Sequence, residues 1–284
     1  MDAPAILVRD LHKSYGSFAA VRGIDFEVAR GEVFGLLGPN GAGKTTTVEI
    51  LEGYRPRTSG IVSVLGHDPG QRAAELRRRV GIVLQQSAVY RHVTVCELLT
   101  HFAGLYRTPR DVDEVLALIG LAEQADVRSR KLSGGQLRRL DLGLALIGDP
   151  ELIFLDEPTT GFDPAARRAA WSTVRSLAEL GKTVLLTSHY LDEVQALCDR
   201  VAILKDGRII ATGQPSALDQ GATRYRVAWR DRDGELHGRE TADPTALLHQ
   251  LTSEALAHGE QLRDLSVTRP TLEEVYLELV EADG

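Results

Sequence analysis

Cysteine is scarce in this sequence, and its scarcity excludes two classes of protein. The 284 residues include only Cys96 and Cys198, which are too few for a disulfide framework and lack the CxxC spacing of a zinc site. The eight histidines show no paired spacing of metal ligands either. We therefore expect each cysteine to be a small buried apolar side chain.

Long apolar runs are also lacking. A membrane-spanning helix needs about 18 to 20 consecutive apolar residues, and no segment of the sequence is that long and apolar. The first residues, Met1-Asp2-Ala3-Pro4, lack the basic and apolar regions of a signal peptide. The sequence therefore predicts a cytoplasmic protein that reaches a membrane only through a partner.

Positive charge is not in excess. The chain has 33 lysines and arginines against 40 aspartates and glutamates, which gives a net charge of −7. Affinity for a nucleic-acid backbone depends on clustered positive charge, so we expect no nucleic-acid partner. The hydrophobic fraction of 43% is ordinary for a globular protein, and the length suffices for one large domain with a small appendage.

A glycine-rich loop is the first feature that points to a function. It has the form GxxxxGK[ST], follows the apolar run Val33–Leu37 and precedes a helix-compatible run. Glycines let successive N–H groups point into one concavity, and the helix that follows adds the positive end of its dipole. The pattern predicts a phosphate site, with Lys44 along the β- and γ-phosphates and the Thr45 hydroxyl on Mg²⁺. The predicted nucleotide-binding residues of the loop are Gly38, Pro39, Asn40, Gly41, Ala42, Gly43, Lys44, Thr45 and Thr46.

Two later strands end in polar side chains suited to phosphate chemistry. Four apolar residues, Leu152–Leu155, deliver the adjacent carboxylates Asp156 and Glu157, and the strand Thr183–Thr187 leads to His189. Parallel sheets bind ligands at the carboxyl ends of their strands. A carboxylate beside a metal ligand can orient a water molecule for attack on the terminal phosphate.

The order of elements predicts an α/β domain with a helical insertion. Strand and helix patterns alternate up to Val80–Leu84, only helices follow over about 87–148, and strand character returns at Glu151. After residue 215 the alternation becomes smaller in scale, and we assign 222–284 to an accessory domain. Its last helix is predicted to start at a capping box of Thr271 and Glu274.

A second anion-binding motif, Leu132–Gln136, lies about 90 residues after the phosphate loop. Ser133 is placed to cap a helix that runs toward Ile147, and the serine and glycine N–H groups at such a helix start bind anions. The phosphates of one nucleotide do not need two anion-binding motifs from the same subunit. With both motifs and the apolar-Asp-Glu strand in order, residues 4–215 resemble the ABC ATPase cassette, whose signature sequence is this Leu-Ser-Gly-Gly-Gln.

The resemblance implies a fold and a domain plan. The fold is α/β, a P-loop NTPase cassette with a RecA-like core, an antiparallel β subdomain and a helical subdomain at about 87–148. This ABC ATPase domain would span 1–215, and a small α+β C-terminal domain would follow at 222–284.

The resemblance also implies roles for single residues. Tyr15 would stack on adenine, and Asp156 would hold Mg²⁺ together with Thr45. The signature residues would close over the nucleotide of a second copy, and those in contact with it would be Ser133, Gly135 and Gln136. ATP and Mg²⁺ are therefore the expected ligands.

The implied catalytic set is Lys44, Gln85, Glu157 and His189. Gln85 would sense Mg²⁺ and the attacking water, although the neighbouring Gln86 leaves that assignment open by one position. Glu157 would polarise the hydrolytic water, and His189 would contact the γ-phosphate. The loop of Gly161–Pro164 would cross the dimer interface with Asp163, and Phe162 stands where the family more often has leucine.

The implied partners are a second copy of the chain and a membrane permease. Two copies would pack head to tail around two ATP molecules, and a separate permease would contact about Gln86–Val95. The predicted function is ATP hydrolysis coupled to export of a drug, antibiotic or lipid-like substrate, at the cytoplasmic face of the membrane. The daunorubicin type of exporter is indicated by Asp156–Pro164, Leu197–Arg200 and Pro270–Tyr276. The alternative is a soluble ABC ATPase of DNA repair or translation.

Overall fold

The computed structural model describes residues 3–71, 74–84, 90–160, 162–221, 225–231, 234–259 and 262–268. The chain divides into two compact units, Met1–Thr212 and Gly213–Gly284. The predicted sensor Gln85, its neighbour Gln86 and the predicted capping box of Thr271 and Glu274 lie outside the described residues.

Within the described residues, nine strands of the first unit form two sheets. They are β1 (Ile6–Tyr15), β2 (Phe18–Val28), β3 (Val33–Leu37), β4 (Ser59–Val64), β5 (Val80–Val83), β6 (Leu152–Asp156), β7 (Thr183–Ser188), β8 (Arg200–Lys205) and β9 (Arg208–Gly213). One sheet is antiparallel with the order β2-β1-β4, and the other has six strands in the order β5-β6-β7-β3-β8-β9. These are the antiparallel β part and the α/β core that the sequence predicts.

Seven α-helices in the described part of this unit pack on those sheets or on one another. They are α1 (Lys44–Leu51), α2 (Ala74–Arg79), α3 (Val95–Ala103), α4 (Val112–Leu118), α5 (Gly134–Leu146), α6 (Pro164–Glu179) and α7 (Leu191–Leu197). Helices α3, α4 and α5 pack together around the buried side chains of Leu99, Val115, Ile119 and Leu140. Apolar positions on one face of each helix account for that packing.

The six-stranded sheet sets the edge at which the site lies. Strands β5, β6, β7, β3 and β8 pair in parallel, so their carboxyl ends meet at one edge. Strand β3 is buried along its whole length, and its Phe34 ring stacks on Phe26 of β2 at 5.6 Å. This shared core fixes the antiparallel sheet against the strand that leads into the phosphate loop.

Tyr15 is the last residue of β1, which pairs with β2 from Ile6 to Tyr15. The expectation that both cysteines are buried is only partly correct. Cys198 is buried and its thiol pKa is raised by burial, but Cys96 is only partly buried. Its sulfur lies 4.0 Å from the Thr100 hydroxyl on a partly exposed side of α3.

The second unit is small and mixed. Helix α8 (Pro215–Gly221) precedes a sheet of β10 (Tyr225–Arg230), β11 (Leu236–Thr241) and β12 (Arg263–Thr268), and α9 (Pro244–Ala257) packs on β10. The antiparallel order is β11-β10-β12. No helix within the described ranges of either unit is long and apolar enough to cross a membrane.

Candidate nucleotide-binding site

The loop between β3 and α1 lies so close to neighbouring backbone carbonyl groups that two of its positions require glycine. Gly43 has a φ of 104°, and a Cβ there would lie 2.6 Å from the Ala20 carbonyl oxygen. A Cβ on Gly38 would lie 2.3 Å from the Leu204 carbonyl oxygen. Side chains at these positions would push the loop away from the sheet, so the glycines fix the curvature that turns its N–H groups inward.

Lys44 is the first residue of α1 and is only 5% exposed. Its Nζ donates to the carbonyl oxygens of Gly38 at 2.7 Å and Pro39 at 3.1 Å. Burial lowers the pKa of this ammonium, whereas the nearby Glu157 and Asp156 raise it. The lysine is therefore held inside the loop, and its ammonium group interacts electrostatically with both predicted carboxylates.

The threonines after Lys44 have different surroundings. Thr45, the predicted metal ligand, is exposed, and Thr46 is partly buried. Thr47 is fully buried, and its hydroxyl donates to the Gly43 carbonyl oxygen at 2.9 Å. Thr45 is thus accessible to a ligand, whereas Thr47 ties the helix to the loop.

The two carboxylates at the end of β6 are joined to β7 by one hydroxyl. Asp156 pairs with Thr187 in the sheet, and Thr187 Oγ1 donates to Asp156 Oδ1 at 2.6 Å. Thr187 Oγ1 also accepts a hydrogen bond from the Glu157 N–H at 3.0 Å. Glu157 has a φ of 45°, a left-handed conformation that costs a residue other than glycine about 1–2 kcal/mol. Thr187 therefore helps to hold Glu157 in a strained backbone geometry.

Glu157 and His189 meet at the same edge of the sheet. His189 Nδ1 lies 3.4 Å from Glu157 Oε1, and the Thr160 hydroxyl donates to Glu157 Oε2 at 3.2 Å. The Glu157 side chain is 13% exposed and that of His189 is 34% exposed. The pair is thus partly shielded from solvent yet open to a ligand.

A buried carboxylate behind this pair was not predicted from the sequence. Glu193 is 1% exposed and accepts from Ser188 Oγ at 2.6 Å, Thr159 Oγ1 at 2.8 Å and Trp171 Nε1 at 3.3 Å. Burial raises its pKa, and the three donors oppose that shift. This network joins the loop after the carboxylate pair to the end of β7. No sequence motif marks it, because its donors come from three separate elements.

Tyr15, the predicted adenine platform, is 40% exposed. Its ring lies 4.9 Å from Lys13 Nζ and 5.3 Å from Arg55 Cζ, measured to the ring centroid. Arg55 is also ion-paired with Glu49 of α1 at 2.5 Å. The ring is therefore held beside α1 in an electropositive setting that suits a nucleotide.

The signature segment lies at the start of α5 and forms a capping box. The Gln136 N–H donates to Ser133 Oγ at 3.3 Å, and the Ser133 N–H donates to Gln136 Oε1 at 2.9 Å. In the described part of the chain, neither side chain makes a hydrogen bond to the phosphate loop. The structure thus brings Lys44, Asp156, Glu157 and His189 together but leaves the signature segment as a separate feature. Asp163 is exposed and caps α6 through the Ala166 N–H at 2.8 Å.

Comparison with known proteins assigns the chain to a family. Residues 21–160 match the family model described as "ABC transporter". The linearmycin resistance ATP-binding protein of Bacillus subtilis is 38% identical over 95% of this chain and 96% of its own. A daunorubicin resistance ATP-binding protein of Streptomyces coeruleorubidus is 37% identical, with 98% and 96% covered. A Nod factor export ATP-binding protein of Burkholderia orbicola is 40% identical over 89% of this chain and 82% of its own.

Solved structures confirm the predicted fold class. The cbiO1 protein of Clostridium perfringens, part of an ABC transporter complex, superposes with a TM-score of 0.70 at 27% identity. That match covers 78% of this chain and 95% of the other. The names of these relatives favour the transporter interpretation over the soluble alternative of DNA repair or translation. The chain therefore belongs to the ABC transporter family and is one of its ATP-binding proteins.

Proposed function

We propose that this chain binds Mg·ATP and hydrolyses it as the energy-supplying subunit of an exporter. The observation that carries the proposal is the grouping of a buried lysine, two carboxylates and a histidine at one edge of the parallel sheet. Lys44 is within the electrostatic reach of Asp156 and Glu157, and His189 lies 3.4 Å from Glu157. A cation, a metal-binding oxygen and a group that orients water are what phosphoryl transfer to water requires.

The chemistry of the donor set fits a magnesium nucleotide. Inward N–H groups of the loop and the Lys44 ammonium suit the phosphates, and the exposed Tyr15 ring suits a base. The Thr45 hydroxyl and the Asp156 carboxylate are the hard oxygen ligands that Mg²⁺ prefers. When bound, the metal would neutralise charge on the transferred phosphoryl group. Gln85 stays a proposed ligand on the grounds of the family resemblance.

The residues of the chain have separate tasks in this proposal. Lys44 stabilises the negative charge that moves to the leaving phosphate oxygen. Glu157 accepts a hydrogen bond from the attacking water and orients it, and His189 donates toward the terminal phosphate. Thr187 keeps Asp156 and Glu157 in register, so metal binding and water activation share one support. The reaction consumes one water molecule and yields ADP and phosphate.

A second copy of the chain would complete each site. Ser133, Gly135 and Gln136 make an anion-binding helix start whose hydrogen bonds do not reach the loop of their own chain. A head-to-tail dimer would set this helix start against the nucleotide of the partner. Hydrolysis removes the shared terminal phosphate and thereby loosens the dimer.

The cargo is proposed from the relatives' names, and the permease contact and domain bounds from the family resemblance. Their names mention resistance to linearmycin or daunorubicin and export of Nod factor, so we propose a drug, antibiotic or lipid-like cargo. A separate permease would hold the chain at the cytoplasmic face of the membrane and contact about Gln86–Val95. We propose the ATPase domain as residues 1–215 with its helical part at about 87–148, and the accessory domain as 222–284.

Replacement of Lys44 tests the nucleotide site. The Lys44→Ala variant should lose fluorescent ATP binding by at least about 100-fold and release no phosphate above background, because a buried positive charge next to the phosphates is removed. The matched control is Lys182→Ala, whose ammonium pairs with Asp149 at 2.8 Å away from the loop. It should bind and hydrolyse ATP within about threefold of the unmodified protein. Unchanged binding by Lys44→Ala would contradict the assigned site.

A further inference from the structure

Arg138 on α5 joins three backbone segments through one side chain. Its guanidinium donates to the carbonyl oxygens of Leu84, of Asp156 at 3.0 Å and of Pro158 at 3.3 Å. The side chain is 11% exposed, with a carboxylate oxygen of Asp141 at 4.0 Å. Burial lowers its pKa, and Asp141 and Asp156 oppose that shift. Arginine remains charged in such a site, so the three carbonyl groups are held by a full positive charge.

Two of these carbonyl groups belong to the residues on either side of Glu157. The planar fork of a guanidinium can hold several acceptors in a fixed arrangement, which an ammonium cannot do. Because Glu157 has a φ of 45°, its strained backbone needs support from contacts to the neighbouring peptides. Thr187 supplies one such support from β7, and Arg138 supplies another from α5.

The same helix carries the signature segment at its first turn. Arg138 follows Gly134, the first residue of α5, by four positions, a rise of about 6 Å along the helix axis. The capping box of Ser133 and Gln136 makes that first turn continuous with the rest of the helix. Helix α5 therefore connects the signature segment to the peptides around Glu157 through a short, hydrogen-bonded path.

We propose that Arg138 is a positioning residue that couples the signature segment to the carboxylate pair of the same chain. The inference rests on the proposed function, in which the signature segment contacts the partner's nucleotide while Glu157 acts on the chain's own. Closure over one nucleotide would then set Glu157 for the other. Arg138 itself need not touch either nucleotide.

The neighbouring Arg139 provides a matched control. It lies on the same helix, is partly buried like Arg138, and donates to carbonyl oxygens of Ile119 at 3.3 Å and Gly120 at 2.9 Å. Those acceptors directly follow α4, so these hydrogen bonds tie α5 to the end of α4. The two arginines thus share residue type and acceptor type but differ in the segment that they hold.

The experiment compares Arg138→Lys and Arg138→Gln with Arg139→Lys and Arg139→Gln in the full chain. Three quantities are measured: the Kd for a fluorescent ATP analogue, the kcat for phosphate release, and the ATP concentration for half-maximal dimerisation in a Glu157→Gln background. For both Arg138 variants we expect an unchanged Kd, a kcat at least about tenfold lower and a dimerisation midpoint about tenfold higher. Both Arg139 variants should stay within about threefold in all three.

Several outcomes separate the inference from a structural role and from the proposed function. Equal losses in the Arg138 and Arg139 variants, or a Kd that rises in step with the loss of kcat, would overturn the coupling role. If Arg138→Gln does not fold, Arg138→Lys, which keeps the charge but loses the fork, gives the decisive comparison. An unmodified protein that neither binds nor hydrolyses ATP would instead refute the proposed function. Normal kcat and dimerisation in Arg138→Lys would refute this inference alone.

Discussion

At the scale of single residues, the hydroxyl of Thr187 is predicted to support catalysis through its hydrogen bonds to both carboxylate residues. It donates to Asp156 and accepts from the Glu157 N–H, and the residue is fully buried. Thr187→Val keeps the shape but leaves both groups without this partner, which costs about 1–3 kcal/mol for a buried polar group. We expect kcat to fall at least about tenfold with little change in nucleotide affinity, measured by phosphate release and fluorescent-nucleotide titration.

Thr183 on the same strand is the control for that change. It is also buried, and its Oγ1 accepts from the Gly31 N–H at 2.9 Å at the opposite end of β7. Thr183→Val should lower the free energy of unfolding by a similar amount but leave kcat within about threefold. Equal kcat values in the two variants would show that Thr187 stabilises the sheet without a role in the site.

Which single residues the sequence predicts depends on how they act. Lys44, Asp156, Glu157 and His189 lie in or beside local motifs, and the structure brings these four together. Their assigned roles in binding and catalysis stay predictions. Thr187, Glu193 and Arg138 act through partners from other elements, so no local pattern marks them. Only the fold shows which carbonyl, carboxylate or hydroxyl each one meets.

At the scale of elements, the start of α5 combines a helix cap with a proposed ligand site. Ser133→Ala removes the acceptor of the Gln136 N–H, and loss of such a cap costs about 1 kcal/mol. We expect this variant to bind nucleotide normally but to hydrolyse it at least about tenfold more slowly, because the proposed dimer sets Ser133 against the partner's nucleotide. Chemical unfolding, nucleotide titration and phosphate release measure the three effects.

The cap of α4 separates stability from function in that comparison. Asp111 accepts from the N–H groups of Asp113 at 2.9 Å and Glu114 at 3.1 Å. Asp111→Ala should destabilise the protein by a similar amount and retain its kcat. If both cap variants lose kcat equally, the signature serine has only a structural effect.

Helices and strands were predictable where the spacing of apolar residues and the capping residues indicate the same element. The helical insertion predicted at about 87–148 contains α3, α4 and α5, and each of these helices begins after a capping side chain. Strand β11 carries no such signal, because its sequence, Leu236–Thr241, contains one apolar residue and no alternation. Helix α8 is also weakly marked in the sequence, because it has only seven residues and begins at Pro215, directly after Gly213 and Gln214.

At the scale of the whole molecule, the proposed site is divided between two helix starts that lie about 90 residues apart in the sequence. The phosphate loop opens α1 and the signature segment opens α5, and the described hydrogen bonds of the second do not reach the first. Each alone is a modest anion site, because a helix start contributes only its terminal N–H groups and partial charge. The account therefore requires two chains for one efficient reaction.

The most direct test is sedimentation velocity of the Glu157→Gln variant. This change keeps the side-chain shape but removes the group that orients water, so ATP should stay bound and bridge two copies. With saturating Mg·ATP the account predicts a species of twice the monomer mass, and with Mg·ADP it predicts the monomer. A monomer at saturating Mg·ATP, with nucleotide binding retained in the same sample, would contradict the central claim.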